Sequence, residues 1–247
     1  MVSTTAPTMS PPVDVVSGLP RWLKLVRAWP LVPMLILVPL ILVALCADVI
    51  APYDPIQPVP GAKIYAPPFW MQGGSTHTLL GTDFQGRDIL SRLCFGARVS
   101  LIVGVTGTLV AGSLGAALGI LAGYLGGWVD QIIMRVTDAW LALPALVFAI
   151  FLATMLGPSM WNIIIILGLV YWTRYARVIR GEVLSLRERE FVKLAEIAGA
   201  RRWRVIRRHI MPNVLNTTMV LASLTIGVVI IAEASLSFLG VDRKSVV

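Results

Sequence analysis

The sequence predicts an all-α integral membrane protein with five membrane-spanning helices, and three observations carry that expectation. Of its 247 residues, 57% are hydrophobic and only 14% are charged, and the mean hydropathy is +0.80, far from the balance of a water-soluble domain. Several apolar stretches reach about 20 residues, the length a helix rising about 1.5 Å per residue needs to cross a hydrocarbon core of roughly 30 Å. The basic residues behind the net charge of +8 cluster between those stretches, as membrane topology places them.

Residues 1–29 are expected to form a cytoplasmic tail, of which 1–20, rich in Ser, Thr and Pro and without apolar period, is expected to be disordered. Arg21, Lys24 and Arg27 precede the first predicted span, residues 30–50. This span exceeds the roughly 7–15 apolar residues of a secretory signal and reads as an uncleaved anchor. Its Pro30, Pro33 and Pro39 are tolerable in a membrane helix whose neighbours satisfy the freed carbonyls. Residues 51–98 are predicted to be a long polar loop on the outer side. No charge interrupts Val99–Val129, which gives a second span over about 99–125. Ala139–Thr173 is also uncharged, but Gly157-Pro158 divides it, so two spans are expected, about 139–157 and 159–176. The fifth covers 213–232 and is closed by Glu233. With the N-terminus inside, 15 of the 21 basic residues fall on the inner side, and this asymmetry sets the orientation.

Within the second span Gly107, Ala111, Gly115, Gly119, Gly123 and Gly127 recur at every fourth position. Residues four apart share a helix face, and a face of small side chains lets a second backbone come close, which is how helices pack in lipid. The ridge is predicted to receive a partner helix, with generic glycine use in membrane helices as the alternative.

The inner connection from Arg174 to Pro212 is far longer than its neighbours. Glu182–Ala198 lacks Gly and Pro, and Phe191, Leu194, Ala195 and Ala198 fall at i, i+3, i+4 and i+7, one apolar stripe on a charged helix. Gly199 then interrupts the helix, a second short helix over Arg201–His209 leaves at a new angle, and Pro212 opens the next span. Such a helix–hinge–helix element has three uses: an amphipathic helix lying on anionic lipid, a nucleic-acid surface, which no recognition fold accompanies, or a knob that seats in a groove of a soluble partner.

At this point Phe191-Val192-Lys193-Leu194-Ala195-Glu196-Ile197-Ala198-Gly199-Ala200, followed by Ile210-Met211-Pro212, resembles the EAA loop of ABC-importer permeases: Glu-Ala-Ala, three residues, Gly, and later an apolar pair before Pro. Lys193 stands where that pattern has Glu and Leu194 where it has the first Ala. Ala51-Pro52-Tyr53-Asp54-Pro55, Leu80-Gly81-Thr82-Asp83, Gly86-Arg87-Asp88, Ser91-Arg92, Gly96–Leu101 and Glu233–Gly240 are similar to the dipeptide/oligopeptide/nickel branch of that family. The resemblance implies the type I ABC importer transmembrane fold, with a permease core over 99–241 and a cytoplasmic coupling loop over 177–212. It further implies that Phe191, Lys193, Leu194, Ala195, Ala198, Gly199, Ala200 and Pro212 meet an ATPase. The implied partners are a second permease, two ATP-binding subunits and an extracytoplasmic solute-binding protein, in a bacterial inner membrane.

Other chemistry is weakly represented. No Gly-x-x-x-x-Gly-Lys phosphate loop and no His-Glu-x-x-His pair occurs, so ATP hydrolysis is expected on a partner, and no cofactor, metal site or catalytic residue is expected on this chain. His77 and His209 fall on opposite sides of the predicted membrane. Cys46 and Cys94 lack metal-ligand or disulfide spacing. Asp138 and Glu233, at predicted span ends, are expected to be interfacial carboxylates with structural roles. A membrane-embedded enzyme or a non-transporting scaffold is the alternative reading of function. The resembling family continues past Ser-Phe-Leu-Gly into a sixth span. Here Asp242–Val247 can be encoded by a codon series matching a common sequencing adapter, so 242–247 is expected to be non-native, the sixth span truncated and the C-terminus outward.

Overall fold

The computed structural model describes residues 31–239; the N-terminal tail of 1–29 and the end at 242–247 lie outside the described residues. The chain divides into two units, Met1–Leu42 and Val43–Val247. The first contributes the start of α1 (Leu31–Leu45), an apolar helix of 15 residues that keeps Pro39 inside it. Everything below concerns the second unit.

The first expected span, residues 30–50, is interrupted. Helix α1 ends at Leu45 and a separate turn, α2 (Ala47–Ile50), follows Cys46. The physical reason is Arg98, whose Nε donates to the Ala44 carbonyl at 3.0 Å and whose Nη2 donates to that of Leu45 at 3.3 Å. The same guanidinium grips both Asp48 carboxylate oxygens, at 3.0 and 2.7 Å. Orphan carbonyls at a helix end are thereby satisfied by a cation, which also suits the helix dipole.

Residues 51–88 fold as a compact, hydrogen-bonded loop rather than an open one. Thr82 donates its hydroxyl to the Lys63 carbonyl at 2.5 Å and accepts from the Ala66 amide at 2.9 Å. Asp83 is a second hub, accepting from the Gln85 and Arg87 amides at 2.8 and 2.9 Å, from Arg87 Nε at 2.8 Å, and from Arg92. Burial alone would raise the Asp83 carboxyl, but these donors outweigh it and hold the group below the usual carboxylate value. Pairing here is confined to isolated bridges, Ser75–Thr78 and Thr82–Asp88; no strand is present among the described residues.

Helix α3 (Ile89–Leu125) starts ten residues before the expected second span. Asp88 is the cause: its carboxylate accepts from the Ser91 amide at 2.8 Å and the Ser91 hydroxyl at 2.7 Å, an N-cap that starts the helix inside the loop. Helix α6 (Met160–Arg187) likewise overruns the expected 159–176, because nothing after Arg174 breaks it. The third span differs most. It is a bent pair, α4 (Gly127–Leu141) and α5 (Ala145–Leu156), turned by 91°. Pro144 lies at the elbow and drives the residue before it out of the helical region. Helix α4 is fastened to α6 by Asp130 with Arg180, by Asp138 with Arg177 at 2.5 Å, and by Trp140 Nε1 donating to the Leu169 carbonyl at 2.7 Å. Asp138 thus lies within α4 and holds that helix to α6 as an ion-pair partner.

The last helices are α7 (Glu190–Ile197), α8 (Arg202–Val205) and α9 (Met211–Phe238), with a π turn over Ile206–Ile210 between α8 and α9. Pro212 stands in the first turn of α9, as expected of a proline that opens a span. The wide π turn just before it absorbs the missing amide donor, and one helical run continues from Arg202 to Phe238. Among the described residues three helices, α3, α6 and this run, are long and apolar enough to cross a membrane, or four if the bent pair counts as one span.

The largest interface joins α3 to α6. Gly107, Ala111, Gly115, Gly119 and Gly123 are all buried on α3. A Cβ on Gly115 would lie 2.5 Å from the Tyr175 Cβ, one on Gly119 2.7 Å from the Ala176 carbonyl oxygen, and one on Gly123 2.8 Å from the Val183 Cβ. Gly107 faces Val229 of α9 as well as Leu167. Gly127 lies off this ridge: α3 has already ended, Gly126 and Gly127 take φ of +66° and +55°, and a Cβ at Gly127 would meet nothing. Glu233, expected to close the last span, sits inside α9 with 5% exposure, accepting from the Ser100 hydroxyl of α3 at 3.0 Å.

Candidate functional site

The segment from Glu188 to Ile210 is built in two layers. Helix α6 stops at Arg187, and Arg189 takes an extended conformation, φ −68° and ψ 143°. The expected continuous helix over Glu182–Ala198 is thus broken, and the reason is Val192: the turn swings it into the core, where its exposure is 0%. Lys193 Nζ reaches back to Glu188 at 2.8 Å, and that hydrogen bond holds the Glu188 carboxyl below its usual value.

Helix α7 ends in a reversal that glycine makes possible. The Gly199 amide donates to the Glu196 carbonyl and the Ala200 amide to the Ala195 carbonyl, both at 3.0 Å. This pair of bonds is a Schellman closure, and it needs a left-handed residue at Gly199, whose φ is +76°. Nothing lies within 4 Å of where a Gly199 Cβ would be, so the requirement is purely conformational. Past the reversal, Val205, Ile206 and Ile210 join Val192 in the core, while Ala195 and Ala200 pack partly against it.

The outer layer is apolar and uncovered. Phe191 is 42% exposed, Leu194 64%, Ile197 82% and Trp203 66%; Ala198 and Lys193 are exposed too. The stripe read from the sequence therefore points mostly away from the protein, and the anchoring residues Val192 and Val205 were not in it. Single buried residues in a short helix leave no periodic signal. Pro212, the second residue of α9, is exposed.

The sequence reading also missed Tyr124 and Glu196. Tyr124, near the C-terminal end of α3, is 5% exposed, and its hydroxyl donates to Glu196 Oε1 of α7 at 2.9 Å. A cavity of about 290 Å³ surrounds the pair, lined also by Leu125, Arg187, Ala200 and Arg202. The two residues lie 72 positions apart, and no local pattern links them.

Among the described residues, no group of three or more His, Cys, Asp or Glu could hold a metal ion. Cys46 and Cys94 are free thiols, the first exposed and the second buried. What the segment offers is a surface: a short amphipathic helix and a following turn, anchored by four buried aliphatics, with large apolar side chains turned outward.

Known proteins share this arrangement of sequence. The family model described as binding-protein-dependent transport system inner membrane component matches residues 115–244. The dipeptide transport system permease protein DppC of Alkalihalophilus pseudofirmus is 35% identical over 98% of this chain and 79% of its own length. The glutathione transport system permease protein GsiD of Pectobacterium atrosepticum is 39% identical over 70% of this chain and 58% of its own. The oligopeptide transport system permease protein OppC of Haemophilus influenzae is 40% identical over 66% of this chain and 53% of its own. The chain thus spans between about half and four fifths of the length of these relatives. It belongs to the binding-protein-dependent transport system inner membrane components, the multi-pass permease family of ABC importers.

Proposed function

We propose that this chain is one of two permease subunits of a peptide importer, with its N-terminus in the cytoplasm and the segment Glu188–Ile210 docked on an ATP-binding subunit. The observation that carries the reading is the uncovered apolar layer of Phe191, Leu194, Ile197 and Trp203 on a segment joining two helices long enough to cross a membrane. An apolar helix face laid in a groove of a soluble subunit is a standard recognition mode. The relatives' names speak of dipeptides, glutathione and oligopeptides, which supports a short peptide as cargo. Fifteen of the 21 basic residues would face inward, which supports the orientation.

Transport then proceeds by alternating access. ATP closes a pair of ATP-binding subunits, their movement displaces the docked segments, and the paired permeases open toward a loaded solute-binding protein. Docking shifts this equilibrium only because the docked state is bound better in one conformation than in the other. On the outer side, the loop over 51–88 exposes Ile64, Tyr65, Phe69, Trp70, Met71 and Phe84, and it serves as the receiving surface for the binding protein.

Gly199→Pro and Ala195→Asp test the docking role. Proline cannot adopt the φ of +76° at Gly199, and an aspartate at 195 puts charge beside the docking face. Both variants are expected to insert normally while losing peptide uptake and transport-stimulated ATP hydrolysis. Unchanged uptake in both overturns the assignment.

A further inference from the structure

We infer that the hydrogen bond from Tyr124 to Glu196 is the positioning contact by which the docked segment moves α3, an inference that rests on the docking role proposed above. The segment reaches the membrane helices by different routes. Toward α9 the route is covalent and helical, through α8 and the π turn. Toward α6 it is covalent as well, through Glu188 and Arg189. Helix α3 has no covalent path to the segment, since α4 follows it directly; it meets the segment by packing against the π turn and by one polar contact with α7. Among the described residues, the hydrogen bond joining α3 to α7 is the one from the Tyr124 hydroxyl to Glu196 Oε1, at 2.9 Å.

The two partners are unlike, and the difference makes the contact sensitive to position. Tyr124 is 5% exposed, so its hydroxyl is fixed by the packing of its ring. Glu196 is exposed and rides on an eight-residue helix. The cavity around them gives the carboxylate room to move, and Arg187 and Arg202, which line the same cavity, offer it alternative partners. A hydrogen bond weakens steeply once its length and angle leave a narrow range. A displacement of α7 therefore either carries α3 with it or hands Glu196 to an arginine, and the contact selects between two arrangements of the inner face.

The assembled transporter, reconstituted in vesicles with its ATP-binding subunits and binding protein, gives the test. The readout is peptide transported per ATP hydrolysed. Tyr124→Phe removes only the donor and keeps the ring. Glu196→Ala removes the acceptor at an exposed site, where folding is not at stake. Each is expected to lower the ratio roughly threefold to tenfold, the equivalent of one ordinary hydrogen bond. The double variant should fall no further than either single one, because both remove the same contact. Glu196→Gln retains an acceptor oxygen and should recover most of the ratio, which a loss through folding would not. An unchanged ratio in Tyr124→Phe, or additive losses in the double variant, overturns the inference. Gly199→Pro in the same vesicles separates the two claims. If it uncouples while Tyr124→Phe does not, the contact is wrong and docking stands; if neither uncouples, docking itself is wrong.

Discussion

The α3–α6 interface and the segment from Glu188 to Ile210 both depend on glycines, but they solve opposite problems. Along α3 a ridge of small residues at four-residue spacing brings the α6 backbone within a few ångströms, and the buried surface is complete within this chain. In the segment Glu188–Ile210 only Val192, Val205, Ile206 and Ile210 are buried, while Phe191, Leu194, Ile197 and Trp203 have no cover. The contrast extends to the glycines. At Gly115, Gly119 and Gly123 the missing Cβ is needed for space; at Gly199 it is needed for a left-handed φ, and the space is empty. Small residues mark closed packing in one place and, in the other, a turn beneath an uncovered apolar surface.

Substitution breaks this contrast most sharply at Gly115. Even Gly115→Ala puts a Cβ 2.5 Å from the Tyr175 Cβ, and Gly115→Leu cannot be accommodated without parting the helices. Overpacking costs about 1–3 kcal/mol, and more where backbone must yield, so Gly115→Leu is expected to abolish the monodisperse detergent-purified protein seen by size-exclusion chromatography. A leucine variant that purifies like the parent would show that α3 and α6 are not in close contact. Gly199→Ala comes next. It meets no atom and costs only the left-handed conformation, about 1–2 kcal/mol. The protein should insert and purify normally, with a modest drop in thermal midpoint, and lose part of its stimulated ATP hydrolysis.

These two sites also show what was legible in the sequence. The α3 ridge could be read because helix geometry turns a four-residue repeat into one face, and the all-α membrane class followed from uncharged runs long enough to cross a bilayer. Gly199 could be read because a Gly after an apolar helix signals its end. Boundaries were less accessible. Asp88 caps α3 in the middle of what looked like loop, Pro144 bends the third span, and the guanidinium of Arg98 ends α1, each overriding hydrophobicity with one polar or cyclic residue. The Arg residues at 174, 177 and 180 looked like the end of a span, yet α6 continues through them because Arg177 and Arg180 pair with Asp138 and Asp130 of α4. Tyr124 with Glu196 could not be read at all, since their meeting depends on the packed fold.

A milder perturbation sharpens the comparison in the loop over 51–88. The hydrogen bonds that hold the Asp83 carboxyl below its usual value are made to the ionised form. They contribute stability in full above about pH 4, the unfolded range of a carboxylate, and lose it as the pH falls through the still lower folded value. Acidification below that range should raise protease cleavage within 51–88 before the membrane helices respond. Asp83→Asn should give the same cleavage at neutral pH. Cleavage that is unchanged in both cases would mean that Asp83 is not the hub of the loop.

The smallest effect is expected at Lys193. Its ammonium lies 2.8 Å from Glu188, but the two side chains are 53% and 74% exposed, so water and salt screen the pair and side-chain entropy opposes it. Lys193→Ala should leave the thermal midpoint unchanged within error, and high salt should not distinguish the variant from the parent. If the segment Glu188–Ile210 is a docking surface, its stability rests on Val192 and the Gly199 closure, and a surface cation beside the exposed leucine has little to hold. A fall in midpoint as large as that of Gly199→Ala would reverse this ranking. Charge pairing across the break at Arg189 would then set the fold of the segment, in place of the buried valine.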